Sequence, residues 1–598
     1  MSAVPDRPPA ACVLGRAGDD RVAMVEVDHA GAVIGRTDIA EVELPERVRD
    51  LEERGRSTRI PPPRWVFSDT PKWYPPLLAA GVRIERCHDL RLARAILARS
   101  ELVTEPGEIR AAAQWEAGPT AAAGVDAPVA LFEVAEGRGY VRQVPHGIDE
   151  ALAEYERQNR AQAGASDPGR LRLLLAAESA GGLVAAEMQA AGVPWDVAEH
   201  ERILTDILGP RPIGDGKPAK MLAVAEEVRA ALGDPRANLD SPVRLLQALR
   251  NAGINVASTS KWELETSEHP AVEPLLRYKK QARLLSANGW HWLDEWVEQG
   301  RYRPVYVPGG VVTGRWAASG GGALQIPRQL RPALRADPGW RLISADVAQL
   351  EPRALAAMSG DRAMAEAGRG RDLYSGLVDA GVVATRQEAK IAVLGAMYGS
   401  TTGEAGALVP RLRTSFPAAM HLVDTAAEVG VQGGVVSTWL GRTSPAPGQR
   451  WLEVQKAANQ FDATAADENR ARRAAGDQGR FTRNFVVQGT AAEWALAWLA
   501  DLRLRLARLP EAGENLAGDG NPVEGEGSAA ASGPVFSRRA HLVFFLHDEV
   551  IVHAPAEHAE AAADAIRESA ASAGRLLFGD APVDFPLDLA ISERAVKD

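Results

Sequence analysis

Three stretches of the chain set chemically useful side chains against apolar frames. In FFLHDEVIVHAP, residues 544–555, His547, Asp548 and Glu549 interrupt two apolar runs. That is the pattern of two buried strands joined by a tight acidic turn. In WRLISADVAQLEPRALAAMSGD, residues 340–361, a buried strand runs into a helical pattern, with Asp346 at the junction and Gln349 and Glu351 just beyond. In ATRQEAKIAVLGAMYGS, residues 384–400, Thr385 and Glu388 form a capping box that starts a helix. Along it Arg386, Lys390, Leu394 and Tyr398 recur every four residues and line one slowly drifting face.

Two carboxylates delivered from separate segments can hold two divalent metals ~4 Å apart, one sharpening an attacking hydroxyl and the other steadying the leaving oxygen. Oxygen ligands with retained waters suit Mg²⁺. Arg386 offers phosphate oxygens a planar fork and Lys390 a compact charge. The surface then grades through Leu394 to the aromatic Tyr398, as suits a ligand with a polyphosphate at one end and a base at the other. Together these are the parts of a phosphoryl-transfer site. Taken singly, each part has a plainer reading: a polar turn, Asp346 as a helix cap, an amphipathic helix with two surface cations.

These segments need a scaffold, and 598 residues leave room for a few domains of roughly 100–200 residues each. The hydrophobic fraction of 46% and charged fraction of 25% are those of globular protein. With Cys12 and Cys87 as the only cysteines, a disulfide framework and a cysteine-built zinc site are excluded. A net charge of −11 excludes a generally basic nucleic-acid coat and leaves polyanions to local patches. No targeting segment opens the chain and every long apolar run is interrupted by charge, so a soluble cytoplasmic protein is expected.

Residues 1–165 read as mixed α/β, with strands at 21–27 and 129–134, a Pro-rich break at 60–64 and a polar link at 162–169. Residues 170–300 read as almost wholly helical. Within LLRYKKQARLLSANG, 275–289, Arg277, Lys280 and Arg283 fall near one another at helical spacing, a cationic stripe or simply a solvated face. From 301 strands and helices mix again. Residues 511–534 are rich in Gly, Ala and acid with no Lys or Arg, the composition of a flexible loop kept away from phosphate.

In this order the motifs resemble the family A (bacterial DNA polymerase I-like) DNA polymerases. The resemblance runs over roughly 170–598, through TGRWAAS (313–319), the Asp346 strand, RQEAKIAVLGAMYG (386–399), SFP (415–417), WLGR (439–442), NFVVQGTAAE (484–493) and LHDEV (546–550). It implies an α/β multidomain, right-hand polymerase fold: thumb at 170–300, palm at 301–361 and 480–598, fingers at 362–479. An RNase H-like, 3′–5′ exonuclease-type α/β domain is implied at 1–165. The implied activity is template-directed addition of dNTPs to a primer 3′-OH, in replication or repair, by a nucleoid-associated monomer with no membrane contact. By the same resemblance Asp346 and Asp548, with the Val347 carbonyl, would bind two Mg²⁺ ions, Mn²⁺ being a possible substitute. Gln349, Glu351 as a steric gate against a 2′-hydroxyl, Arg386, Lys390, Leu394 and Tyr398 would meet the nucleotide. Arg315, Asn484, Gln488 and His547 would contact primer–template near the new pair, and Arg277, Lys280 and Arg283 duplex phosphates. Glu549 would be supportive.

The chain also departs from the family's pattern. Leu394 stands where an aromatic residue is usual, Val347 and Ala348 where Tyr and Ser are, and Tyr374 where a His is. In residues 1–165 the segment CHDLRLARAIL resembles one bearing an exonuclease acid through Asp89, yet no strand carries D-x-E. Glu26 and Asp28 have the reverse order, and the last motif is reduced to Tyr155 with Asn159. That domain is expected to be a structural remnant, with no separate 5′-nuclease domain ahead of it. Two alternatives stand beside this: an enzyme that also proofreads, and a non-catalytic DNA-binding relative.

Overall fold

The computed structural model describes residues 9–58, 61–116, 143–214, 216–320, 326–399, 403–513, 527–546 and 548–595. The expected strand at 129–134, His547 and most of the acidic 511–534 loop lie outside the described residues. The chain forms two compact units, one of Met1–Gly192, Val305–Gly320 and Asp337–Ser592, the other of Val193–Pro304, Gly321–Ala336 and Glu593–Asp598.

The amino-terminal part of the first unit is a five-stranded sheet: β1 (Ala11–Gly18), β2 (Arg21–Val27), β3 (Val33–Ala40), β4 (Arg64–Phe67) and β5 (Cys87–Asp89). The order is β3-β2-β1-β4-β5, with β1–β2 and β2–β3 antiparallel and β1–β4 and β4–β5 parallel. This is the RNase H-like arrangement expected of residues 1–165. As the central strand, β1 is covered on both faces and reads as a continuous apolar run. Alternation sends Cys12 and Leu14 to one core with Trp65, Phe67, Trp73 and Tyr74, and Ala11 and Val13 to another with Trp115, Ile148 and Ala151. The first core also takes Leu183 and Ala191 from the helix Pro168–Ala191, so it closes beyond the boundary expected at 165.

A buried ionic knot ties the same helix further. Glu187 accepts from Tyr74 Oη at 2.6 Å, from Arg83 Nε at 3.0 Å and from Arg503 Nη2 at 2.6 Å. Burial alone would raise this carboxyl, but the two guanidinium groups outweigh it and hold it down at about 2.

The second sheet of this unit is four-stranded, in the order His541–Leu546, Glu549–Pro555, Trp340–Val347, Leu587–Ser592, all neighbours antiparallel. Its hairpin strands 541–546 and 549–555 are those read from the apolar runs around residues 547–549. The helix Ala559–Phe578 covers the sheet and meets the long helix Ala465–Leu506. That long helix is continuous through 479–480, where the fingers were expected to give way to the palm.

The helix Arg386–Tyr398 begins as its capping box requires: Glu388 N–H donates to Thr385 Oγ1 at 3.1 Å and Thr385 N–H to Glu388 Oε2 at 3.2 Å. It ends at Gly399, whose φ of 73° suits a residue without Cβ. Ala389, Ala392, Val393, Ala396 and Met397 pack it into a core with Leu355, Leu377, Leu412, Phe416 and Val423.

The second unit is mainly helical. Val272–Asn288 buries Leu275, Tyr278 and Leu284, and its opposite face exposes Arg277, Lys280 and Arg283 at three-residue spacing. Arg277 there pairs with Glu227. Among the described residues no helix is long and apolar enough to cross a membrane.

Candidate active site

Asp346 is the seventh residue of Trp340–Val347 and stands opposite Glu549 on one side and Asp588 on the other. The next N–H, of Val347, donates to the Asp548 carbonyl at 2.9 Å. Within the turn, Asp548 N–H donates back to Leu546 O at 2.7 Å. The two aspartates therefore issue from adjoining strand ends. Asp346 is half-buried and caps no helix: the cap position of Leu350–Ser359 is Gln349. Of the two acids read into the hairpin turn, only Asp548 is there. Glu549 is a strand residue and 4% exposed, in a strand that is buried at every position.

Burial pushes the Asp548 carboxyl up to about 7, and the neighbouring Asp346 charge pushes the same way. Glu351 adds to the rise and Arg315 opposes it, which places all four groups in one field. Two aspartates and a peptide carbonyl at a strand end form an all-oxygen set, and their mutual repulsion is what a hard divalent cation neutralises. The residues present fit Mg²⁺.

Glu351 lies in the first turn of Leu350–Ser359. It is ion-paired with Arg315 and accepts from Tyr398 Oη at 2.6 Å, so motifs far apart in sequence meet on one carboxylate. Gln349 has a φ of 50°, a left-handed conformation stabilised from outside. Its side chain donates from Nε2 to Asp372 Oδ2 at 2.9 Å and accepts from Leu373 N–H at 3.2 Å. Arg386 grips the same Asp372 with Nη2 at 2.8 Å and Nε at 3.2 Å, its guanidinium 5.6 Å from the centre of the Tyr374 ring. Tyr374 is buried, which pushes its hydroxyl up to about 12, with Glu351 and Asp372 adding to the effect. Lys390 is exposed one turn on, and Leu394 is half-buried against the helix's core.

Asn484 and Gln488 lie one turn apart on Ala465–Leu506, both half-buried. Asn484 Oδ1 is buried with no hydrogen-bond partner among the described residues. Arg315 belongs to a loop bolted in place. Trp316 meets the ring of Phe545 edge-on at 5.0 Å, and a Cβ on Gly314 (φ 86°) would lie 2.6 Å from the Arg442 guanidinium. Arg277, Lys280 and Arg283 belong to the second unit.

Some participants escaped the sequence reading. Asp372 was visible only as a helix-capping aspartate in RDLYS. Arg442, within WLGR, forms a buried ion pair with Glu178 at 2.5 Å. Glu493, which burial pushes up to about 7, accepts from Leu440 N–H at 2.9 Å and from the Thr438 hydroxyl, and so holds that turn.

The amino-terminal sheet has different chemistry. No carboxylate projects from β1, and at Gly15 a Cβ would lie 2.4 Å from Ile148 Cα, so the crossing helix leaves no space for one. Asp28 is a turn former, accepting from Ala30 and Ala32 N–H. Asp89 is buried and accepts from Thr70 N–H and Oγ1, both at 2.7 Å, and from Leu92 N–H at 2.9 Å as the cap of Leu90–Leu97. Tyr155 packs edge-on against His88 and Asn159 is half-buried.

The profile of DNA polymerase family A matches residues 217–592. The chain is 28% identical over 371 residues to DNA polymerase I of Chloroflexus aurantiacus, covering 57% of this chain and 34% of that protein. To the thermostable DNA polymerase I of Thermus aquaticus it is 26% identical over 454 residues, 68% of this chain and 46% of that one. It thus spans between about a third and a half of the length of such curated relatives. Among solved structures, the POL domain of Pol1 from M. smegmatis, in complex with DNA primer-template and dNTP, is similar. The TM-score is 0.64 with 16% identity, covering 98% of this chain and 95% of that one. At that identity the likeness is one of fold.

Proposed function

The chain belongs to DNA polymerase family A, and from that premise we propose that it extends a primer 3′-OH on a DNA template with deoxynucleoside triphosphates. The observation that carries the proposal is the convergence of Asp346 and Asp548 on adjoining strand ends, beside Glu351 and Arg315. Two Mg²⁺ ions, or Mn²⁺ in their place, held by these aspartates and the Val347 carbonyl would supply charge neutralisation at the attacking and leaving oxygens.

The chain's own residues do the rest. Arg386 and Lys390 bind the triphosphate from successive turns of one helix. Glu351, kept in place by Arg315 and Tyr398, packs against the sugar and excludes a 2′-hydroxyl. Gln349, Leu394 and Tyr398 complete the nucleotide surface. Arg315, Asn484, Gln488 and His547 orient primer and template, with the Asn484 oxygen free to accept from DNA. Arg277, Lys280 and Arg283 contact duplex phosphates, which fix register without reading sequence. In this reading residues 170–300 are the thumb, 301–361 and 480–598 the palm and 362–479 the fingers, and the enzyme acts as a monomer.

The domain at 1–165 is a scaffold without nuclease activity. A two-metal nuclease needs clustered carboxylates, whereas β1 offers none and Asp89 is committed to backbone and hydroxyl donors. Primer extension in Mg²⁺ tests the whole reading. Extension is the expected result. Shortening of the primer without nucleotides restores the proofreading alternative, and DNA binding with neither activity leaves a non-catalytic relative.

A further inference from the structure

The proposed triphosphate-binding arginine does not stand free. Asp372 Oδ2 accepts from Arg386 Nη2 at 2.8 Å and from Gln349 Nε2 at 2.9 Å. Asp372 Oδ1 accepts from Arg386 Nε at 3.2 Å and from Ser375 N–H at 2.7 Å. One carboxylate with four acceptor sites thus ties three segments: the left-handed Gln349 after the Asp346 strand, the cap of Leu373–Asp379, and the first turn of Arg386–Tyr398. Gln349 is itself anchored, because its Oε1 accepts from Leu373 N–H. Burial works to raise the Asp372 carboxyl, but the hydrogen bonds from Arg386 and Ser375, with the Arg386 charge, carry it below the usual range.

The geometry of the fork decides what this contact does. A guanidinium has five N–H donors in one plane. Asp372 takes the Nε–Nη2 edge, and the Nη1–Nη2 edge remains for a second bidentate anion. The ring of Tyr374, 5.6 Å from Arg386 Cζ, restrains the same plane from its face. An arginine in the first turn of a helix is otherwise poorly placed, since that end of the helix is already positive. A counter-carboxylate both neutralises it and fixes its rotamer.

We propose that Asp372 is a positioning residue that holds Arg386 with its second edge presented to the nucleotide triphosphate and couples that arginine to the Asp346 segment through Gln349. This rests on the polymerase reading above.

Steady-state primer extension with Asp372→Asn tests it. Asn is as good a helix cap as Asp, so the turn survives while the charge is lost. The expected result is a KM for dNTP raised about five- to tenfold with kcat changed less than about twofold. Asp372→Glu should restore part of the loss. In an Arg386→Lys background, Asp372→Asn should add nothing further, because the fork it orients is gone. An unchanged or lowered KM in Asp372→Asn overturns the proposal, the lowered value marking the pair as a competitor of the triphosphate. Equal loss in both backgrounds also overturns it, as does loss of kcat with an unaltered KM. Failure of the parent chain to extend primers would instead sink the polymerase reading, so the two failures are distinguishable.

Discussion

The backbone N–H of Val347 donates to the carbonyl of Asp548 at 2.9 Å, and this one bond sets Asp346 beside Asp548. It forms where the 340–347 strand meets the hairpin turn, at the end of a ladder in which Asp346 pairs with Glu549. The apolar strands on either side hold both aspartates close, at a cost visible in the rise of the Asp548 carboxyl to about 7.

That cost predicts opposite effects on stability and activity. Asp548→Asn should abolish primer extension while leaving DNA binding within about twofold of the parent. With chelator present it should raise the thermal midpoint by about 2 °C, since a like-charge repulsion is removed. Extension near the parent rate would remove Asp548 from the site.

Leu394 is half-buried against the core of its helix, and in the proposed site it would offer the nucleotide a branched aliphatic face. Base–aromatic stacking is worth ~1–3 kcal/mol per base. Leu394→Phe should therefore lower the KM for dNTP by about three- to tenfold, an order of magnitude set by stacking less the packing Leu already supplies. A higher KM in steady-state extension would show that the site is shaped for a smaller side chain.

Glu351 is held by Arg315 and by the Tyr398 hydroxyl. In the proposed site, truncation to Ala would open space beside the sugar and release both partners. Ribonucleotide incorporation relative to deoxyribonucleotide should rise by about tenfold or more, measured as the ratio of kcat/KM values. An unchanged ratio would place the sugar elsewhere.

The Glu187 knot links the amino-terminal five-stranded part to the rest of its unit through Tyr74, Arg83 and Arg503. Glu187→Ala leaves two guanidinium groups without their counter-charge and should destabilise by ~3–5 kcal/mol in denaturant unfolding. The carboxyl is held at about 2 against an ordinary 4.5. Its contribution is thus complete above pH 4.5 and is lost as pH falls from there toward 2. In Glu187→Gln that part of the acid-induced fall in midpoint should disappear. If the parent and the Glu187→Gln variant lose stability in parallel across that interval, the knot is not the acid-sensitive element.

What could be read locally held. Two apolar runs flanking residues 547–549 marked the strands that form at 541–546 and 549–555, and the Thr385–Glu388 capping box marked the start of the helix that carries Arg386 and Lys390. Helical spacing set Arg277, Lys280 and Arg283 on one exposed face. Each of these follows from forces acting within a few residues, which the order of side chains along the chain already contains. Tertiary structure alone decided the antiparallel register that opposes Asp346 to Glu549, the meeting of Arg315 and Tyr398 on Glu351, and the grip of Asp372 on Arg386. Those contacts join residues from 14 positions apart, for Asp372 and Arg386, to about two hundred, for Asp346 and Glu549. A buried carboxylate accepts any donor that packing delivers, and which donor arrives depends on how whole elements stack.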